Sequence, residues 1–506
     1  RTTYDEFIAK IHRDIIKQPD DNRSFEAYTL INGLKLLLIS DSKAEKAAAA
    51  LNVNIGSFND PESFQGLAHL LEHLLFHNYI NCPDCNEYTH FIENNWGWYN
   101  AHTYETQTIY AFDISTRSLK GALEKLIALF GPPVFSANLI EKALNEINGQ
   151  HINNLKNDVY RVYRVFKENA NQSHPFTKYG CGTRESLKNS SKNNFTILRE
   201  ELIKLYNYYS SNIMSVCVMS KDPMEKLKEV VIPLLKNLEN KNVSALKWTE
   251  NPYGPKQLKK ILNVVPIENH HYLHLLFPMS YLVGPIDEMF KDRDEDFRPH
   301  IIKKYLNLMN PENMIAIIQS PKFADKTNKR EKWFGVEYSV EDFKEEFLTK
   351  LKQTKSNEFY FPAPNEFIST NYDLKKRENV IEQPKVIKST ENSRIWFLQD
   401  FTFDARAFFS IDFKSPFIRI DPLYKVCAEI FVKLIDYELS EDLSIGKYAG
   451  LSFVSEISKY GIKNELKNMS RDNFEEYRNL VSINYEKNPV DIFSSGMVFW
   501  KEIEEG

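Results

Sequence analysis

The segment Gly66-Leu67-Ala68-His69-Leu70-Leu71-Glu72-His73-Leu74-Leu75-Phe76 constrains this chain more than any other stretch. Leu67, Leu70, Leu71, Leu74 and Leu75 recur at helical spacing, so the segment is expected to be a helix with that face in a core. His69 and His73, four residues apart, then lie about one turn apart on another face, where two ring nitrogens can reach a single cation. Glu72 faces the same side. A carboxylate beside a metal can take a proton from water and return it to a leaving amine. The plain alternative is two chance histidines on a solvated helix. The pattern HxxEH arises by accident in roughly a few chains per hundred, and here it falls in the helical context it requires, so a metal-peptidase site is the better reading.

At 506 residues the chain is too long for one core, and a length prior gives about three domains. Hydrophobic residues make up 42% and charged residues 26%, as in a globular protein. A net charge of −5 offers no basic field for a phosphate backbone, so nucleic acid is not an expected partner. No window approaches the roughly 18 uninterrupted apolar residues of a membrane span, so no membrane partner is expected. The five cysteines, Cys82, Cys85, Cys181, Cys217 and Cys427, do not form a disulfide framework. Cys82-Pro83-Asp84-Cys85 is read as two loop thiols, with a loop disulfide or metal role as the alternative. The chain opens on Arg1, which leaves targeting unread; a cytosolic setting is favoured and secretion stays open.

Strands are expected at 34–40, 47–55, 108–114, 213–220, 261–265, 315–319, 395–398 and 407–413, and helices at 119–130 and, as one long element, 139–168. Another helix starts after Asp222-Pro223. Asn251-Pro252-Tyr253-Gly254-Pro255 reads as a linker, and Pro362 to Pro364 with the Lys-rich stretch near Lys375 suggests a further boundary.

His69-Leu70-Leu71-Glu72-His73 resembles the inverted zinc motif of the insulysin and pitrilysin family, and the approach Gly56-Ser57-Phe58-Asn59-Asp60-Pro61 is similar to that family's. So are Asn86-Glu87-Tyr88, His174-Pro175-Phe176, Lys178-Tyr179-Gly180 and Tyr208-Tyr209-Ser210-Ser211-Asn212. Pro311-Glu312-Asn313, Trp333-Phe334-Gly335, Pro364-Asn365-Glu366-Phe367, Ser415-Pro416-Phe417 and Ala449-Gly450-Leu451-Ser452 resemble the insulin-degrading branch. The resemblance implies an α+β fold of repeated domains, each a mostly antiparallel sheet with helices packed on it, paired into halves of a peptide chamber. It implies a catalytic-type domain at 1–245, a second homologous domain at 246–390 and the start of a third, truncated, at 391–506. Sequence expected by the resemblance is skipped near residue 280, and a smaller skip is suspected at Tyr460-Gly461-Ile462. A processing or respiratory-core subunit of the same superfamily is less favoured, because the later motifs match the single-chain branch.

The family's third ligand is a Glu on a second helix, and its spacing from His73 arrives at Gln150; a second family acid falls at Ala143. The resemblance therefore implies Zn2+ held by His69, His73 and Gln150, with Glu72 as the base. A Gln oxygen brings no charge, so metal affinity is expected to fall. Glu146, one turn before Gln150, is a possible substitute ligand or an ordinary surface acid. His77 is weighed as a further ligand against a cation at the helix end, while His151, His270, His271 and His274 merit no metal assignment.

In the family a substrate strand adds beside the metal, and the matching edge is Asn100-Ala101 with Phe76 as its floor. Trp96, Trp98 and Tyr99 are read as either a side-chain pocket or packed aromatics. The leading expectation is a zinc metalloendopeptidase acting on peptides of modest length. Its own C-terminal half or a second subunit would close the chamber, with a homodimer possible. The rival is a pseudopeptidase kept as a peptide-binding or partner subunit.

Overall fold

The computed structural model describes residues 4–13, 15, 21–77, 87–279 and 299–355, then 358, 363–365, 383–398, 412–414, 422–438, 440, 444–445, 448, 456–458 and 461–463. Its contacts divide the chain into two compact units, residues 1–354 and 355–506.

The first unit begins with four strands: β1 (Ile8–His12), β2 (Ser24–Leu30), β3 (Lys35–Ser40) and β4 (Lys46–Val53). The metal-motif helix α1 (Leu67–Leu75) and α2 (Glu87–Asn94) follow, then β5 (Trp98–Thr103) and β6 (Thr108–Ser115). Helices α3 (Leu119–Leu129), α4 (Ala137–Leu155), α5 (Asp158–Glu168), α6 (Arg184–Ser190) and α7 (Phe195–Tyr206) precede β7 (Met214–Ser220) and α8 (Met224–Leu235). These strands form one seven-stranded sheet in the order β1-β2-β3-β7-β4-β6-β5, parallel only between β3 and β7. Along β4, β6 and β7 every second residue is buried, as a strand does when helices cover one of its faces. The core joins Leu36, Leu38, Leu51, Val53 and Val218 of the sheet to Leu70, Leu71, Leu74 and Leu123 of the helices.

A second sheet in the same unit contains β8 (Lys260–Val264), β9 (Tyr272–Leu276), β10 (Ile315–Gln319), β11 (Lys329–Arg330) and β12 (Glu337–Asp342). Its order is β11-β12-β8-β10-β9, with β8 and β10 parallel. Val162 and Val165 of α5 pack with Leu262, Val264, Ile315 and Ile317, so α5 covers the second sheet.

The single long helix expected over 139–168 is two helices. Lys156 caps α4, and Asn157, in an extended conformation, accepts a hydrogen bond from Val159 N and starts α5. A short amide side chain that can satisfy a free helix N–H favours a new start over continuation.

In the second unit, strands Lys385–Ser389 and Arg394–Phe397 form a hairpin, and Asp412–Lys414, Glu456–Ser458 and Gly461–Lys463 form a small antiparallel sheet. Helix Pro422–Glu438 buries Ala428, Ile430, Val432 and Leu434. The Cys82–Cys85 loop, the suspected skip from residue 280, most of the strand expected at 407–413, and the Ser415-Pro416-Phe417 and Ala449-Gly450-Leu451-Ser452 motifs lie outside the described residues. Among the described residues no helix is long and apolar enough to cross a membrane.

Candidate metal centre

Helix α1 is anchored at its first turn. Asp60 is buried, and its Oδ2 accepts from Gly66 N at 2.7 Å while Oδ1 accepts from Ala68 N at 2.8 Å, satisfying amides that a helix start leaves unpaired. Burial pushes the Asp60 carboxyl up to about 7 even though these bonds and Lys178 favour its charged form. Gly66 has φ +93°, and a Cβ there would come within 2.3 Å of Gly182 Cα. Only glycine allows that approach of two backbones, and the approach brings the carbonyl of Cys181 against the helix.

That carbonyl accepts from His69 Nδ1 at 2.9 Å. On the next turn His73 Nδ1 donates to Glu146 Oε2, also at 2.9 Å. With both Nδ1 atoms acting as donors, each ring keeps its lone pair on Nε2, the tautomer a metal-ligating histidine requires. The rings are 5.0 Å apart. Donor atoms of His69, Glu72 and His73 all lie within 4.8 Å of one another, the one such cluster among the described residues. Two imidazoles and a buried carboxylate form a donor set that suits a divalent cation of the zinc type.

Gln150, on α4, reaches the same place: its Nε2 lies 3.0 Å from His73 Nε2, so its amide group occupies the side of the ring where a metal would bind. Glu146 bonds instead to the outer nitrogen of His73, and its Oε1 accepts from His77 Nε2 at 3.4 Å. Burial pushes the Glu146 carboxyl up, but the hydrogen bonds of His73 and His77, joined by their charge whenever the rings are protonated, outweigh it and hold it at about 2. Burial lowers the pKa of His69, and its bond to Cys181 and the charge of Glu72 more than offset this, so it sits above the ordinary histidine value. Glu72 is 5% exposed and accepts from Thr103 Oγ1 at 2.5 Å.

Thr103 was not legible as a site residue from the motif. A signal existed nonetheless: residues 99, 101 and 103 of β5 share the face opposite Trp98, Asn100 and His102, as strand alternation dictates. Phe76 packs against Tyr99 and Tyr88 with centroids 5.5 and 5.8 Å away. Asn100 and Ala101 lie on β5, the last strand of its sheet. Trp96 and Trp98 are 83% and 58% exposed, so of the three aromatics Tyr99 alone is packed. His151 Nδ1 lies 2.7 Å from Tyr179 Oη, and burial lowers its pKa. His274 Nε2 lies 2.9 Å from Gln319 Oε1. His151 also packs edge-on against Tyr179 and Phe334, and both histidines stand outside the donor cluster.

Residues 35–173 match the family "Insulinase (Peptidase family M16)", and residues 288–468 match "Middle or third domain of peptidase_M16". The chain belongs to the insulysin and pitrilysin family of inverted-motif zinc metallopeptidases. It is 29% identical to the insulin-degrading enzyme of Homo sapiens, over 90% of this chain and 57% of that protein. To the A-factor-processing enzyme of Saccharomyces cerevisiae it is 26% identical, over 85% of this chain and 54% of that protein. The crystal structure of pitrilysin superposes with a TM-score of 0.65 at 17% identity, covering 94% of this chain and 66% of that one, and shares the fold. This insulysin-family chain thus spans a little over half the length of the curated relatives. The matched stretch of the human relative is 581 residues, longer than this whole chain, so the relative carries segments with no counterpart here.

Proposed function

We propose that this chain is the metal-binding part of a zinc metalloendopeptidase that hydrolyses internal bonds of short or medium peptides in an enclosed chamber, with a weakened metal site. The observation that carries the reading is the convergence of His69, Glu72 and His73, both imidazoles held with Nε2 turned inward. Residues 1–245 form the catalytic-type domain, 246–390 a second and 391–506 part of a third. Further C-terminal sequence or a second subunit closes the chamber, and a homodimer is one such arrangement.

Zinc, when held by His69, His73 and the Gln150 oxygen, polarises the scissile carbonyl and acidifies water. The chain's own residues do the rest. The substrate backbone pairs with the outer edge of β5 at Asn100 and Ala101, and Phe76 forms the floor beneath it. Backbone pairing holds peptides of varied sequence in one register. Glu72, fixed by Thr103, takes the proton of the attacking water as the new C–O bond forms, then gives it to the amine as the C–N bond breaks.

The test is metal content of the purified protein by elemental analysis, together with cleavage of a quenched fluorogenic peptide with and without added zinc, using Glu72→Gln as control. Near-stoichiometric zinc and cleavage lost in Glu72→Gln support the enzyme. No zinc and no cleavage after zinc addition would leave a pseudopeptidase, a peptide-binding or partner subunit, as Gln150 and Ala143 in place of two acids would favour.

A further inference from the structure

The acids that the family resemblance places at positions 143 and 150 are an alanine and an amide here. Ala143 is fully buried in the apolar core and offers the site nothing. Glu146, on the same helix and one turn from each of these positions, is the carboxylate that reaches α1. Its two oxygens are divided: Oε2 accepts from His73 Nδ1 at 2.9 Å and Oε1 from His77 Nε2 at 3.4 Å. His77 follows the end of α1 and is 9% exposed, so Glu146 bridges one imidazole on the helix and one just beyond its end.

This arrangement separates Glu146 from the role of a direct ligand. Nδ1 and Nε2 lie on opposite sides of an imidazole, and the Nε2 side of His73 is the one Gln150 faces. Among the described residues, the cluster of donor atoms able to meet one cation includes His69, Glu72 and His73 but not Glu146. A carboxylate on the outer nitrogen of a ligating histidine fixes its tautomer and ring plane and makes the inner nitrogen a better donor. It also brings a negative charge close to a site whose third ligand is neutral.

We propose that Glu146 is the positioning residue for His73, and that the His73–Glu146–His77 clamp takes the place of the acids absent at 143 and 150. The inference rests on the metal-site reading above, but one of its consequences is independent of metal: the clamp at Nδ1, with the Gln150 amide nitrogen at Nε2, sets the tautomer of His73 in the metal-free chain.

The experiment uses the whole chain as wild type, Glu146→Ala and Glu146→Gln. Zinc affinity is measured by competition with a chelator, and the tautomer of His73 in the zinc-free protein is read by NMR with 15N-labelled histidine. Glu146→Ala is expected to lower zinc affinity about 10- to 100-fold and to convert His73 from the Nδ1–H form to a mixture. Glu146→Gln, which keeps an acceptor oxygen and the fold but not the charge, is expected to retain the Nδ1–H form and lose less affinity. Glu146 is 36% exposed at its side chain, so neither variant opens a core cavity. An unchanged His73 tautomer in Glu146→Ala would overturn the proposal, as would X-ray absorption showing that the variant has lost an oxygen from the metal's own coordination. A wild type that binds no zinc but shows the tautomer change would sink the enzyme reading and leave the clamp standing.

Discussion

Thr103 donates its hydroxyl to Glu72 Oε2 at 2.5 Å, tying the buried carboxylate of α1 to the edge strand β5. In the proposed mechanism the substrate edge and the base are thus positioned by one another. A hydrogen bond to a charged group contributes about 1.5–3 kcal/mol, and Thr103→Val removes it with little change in volume. The expected outcome is a fall in kcat of about 10- to 100-fold, with zinc content unchanged. Loss of zinc in parallel would assign Thr103 to the metal site instead.

Gln150→Glu restores the anionic ligand that the family resemblance places there. Because the amide already lies 3.0 Å from His73 Nε2, no backbone shift is needed. Zinc affinity by chelator competition is expected to rise at least about 10-fold, with cleavage of a fluorogenic peptide rising in step. No gain in either would show that another group completes the coordination.

Arg164 of α5 and Glu331, just after β11, tie that helix to the second sheet. Arg164 Nε donates to Glu331 Oε1 at 3.1 Å, both side chains are almost wholly buried, and Glu331 Oε2 also accepts from the backbone of Trp333 and Phe334. Removing one partner leaves a buried charge uncompensated, which costs about 3–5 kcal/mol. Arg164→Leu is therefore expected to shift the urea midpoint markedly, and a double variant with Glu331→Gln to recover part of the loss.

A pH effect is expected at Glu105, in the turn after β5. Burial pushes its carboxyl up, but the charge and hydrogen bond of Lys167 and the hydroxyl of Tyr163 bring it below the ordinary value of 4.5. A carboxyl depressed on folding stabilises the protein above its unfolded pKa and loses that contribution as pH falls through the folded value. Lys167 is itself held below the ordinary lysine value, because burying its ammonium costs more than Glu105 returns. Chemical denaturation of the wild type and Glu105→Gln should show a wild-type advantage near pH 7 that is lost in acid, as the pH falls below the ordinary carboxylate value and through the lowered one. An advantage that persists in acid would exclude the pair as its source.

The sequence by itself determined the local elements and the chemistry they carry. The leucine spacing of 67–75 has one way to bury its face, which puts His69, Glu72 and His73 together on the other side. The alternation of the strands has a comparable consequence: it fixes which residues of β5 look inward. Short-range periodicity suffices for both, since neighbours along the chain decide them.

Tertiary structure decided what the distant residues do. Glu146 reads as a spare ligand or a surface acid until α4 is laid across α1, when it proves to hold the outer nitrogens of His73 and His77. The carbonyl of Cys181 carries no side-chain signal and reaches His69 only because Gly66 and Gly182 let two backbones touch. The break at Asn157 lies between these levels: a capping residue was present, but helical periodicity continued past it, and the packing of α5 on the second sheet fixed the turn. Contacts between residues separated by a hundred positions depend on how the layers stack, and no local pattern records that.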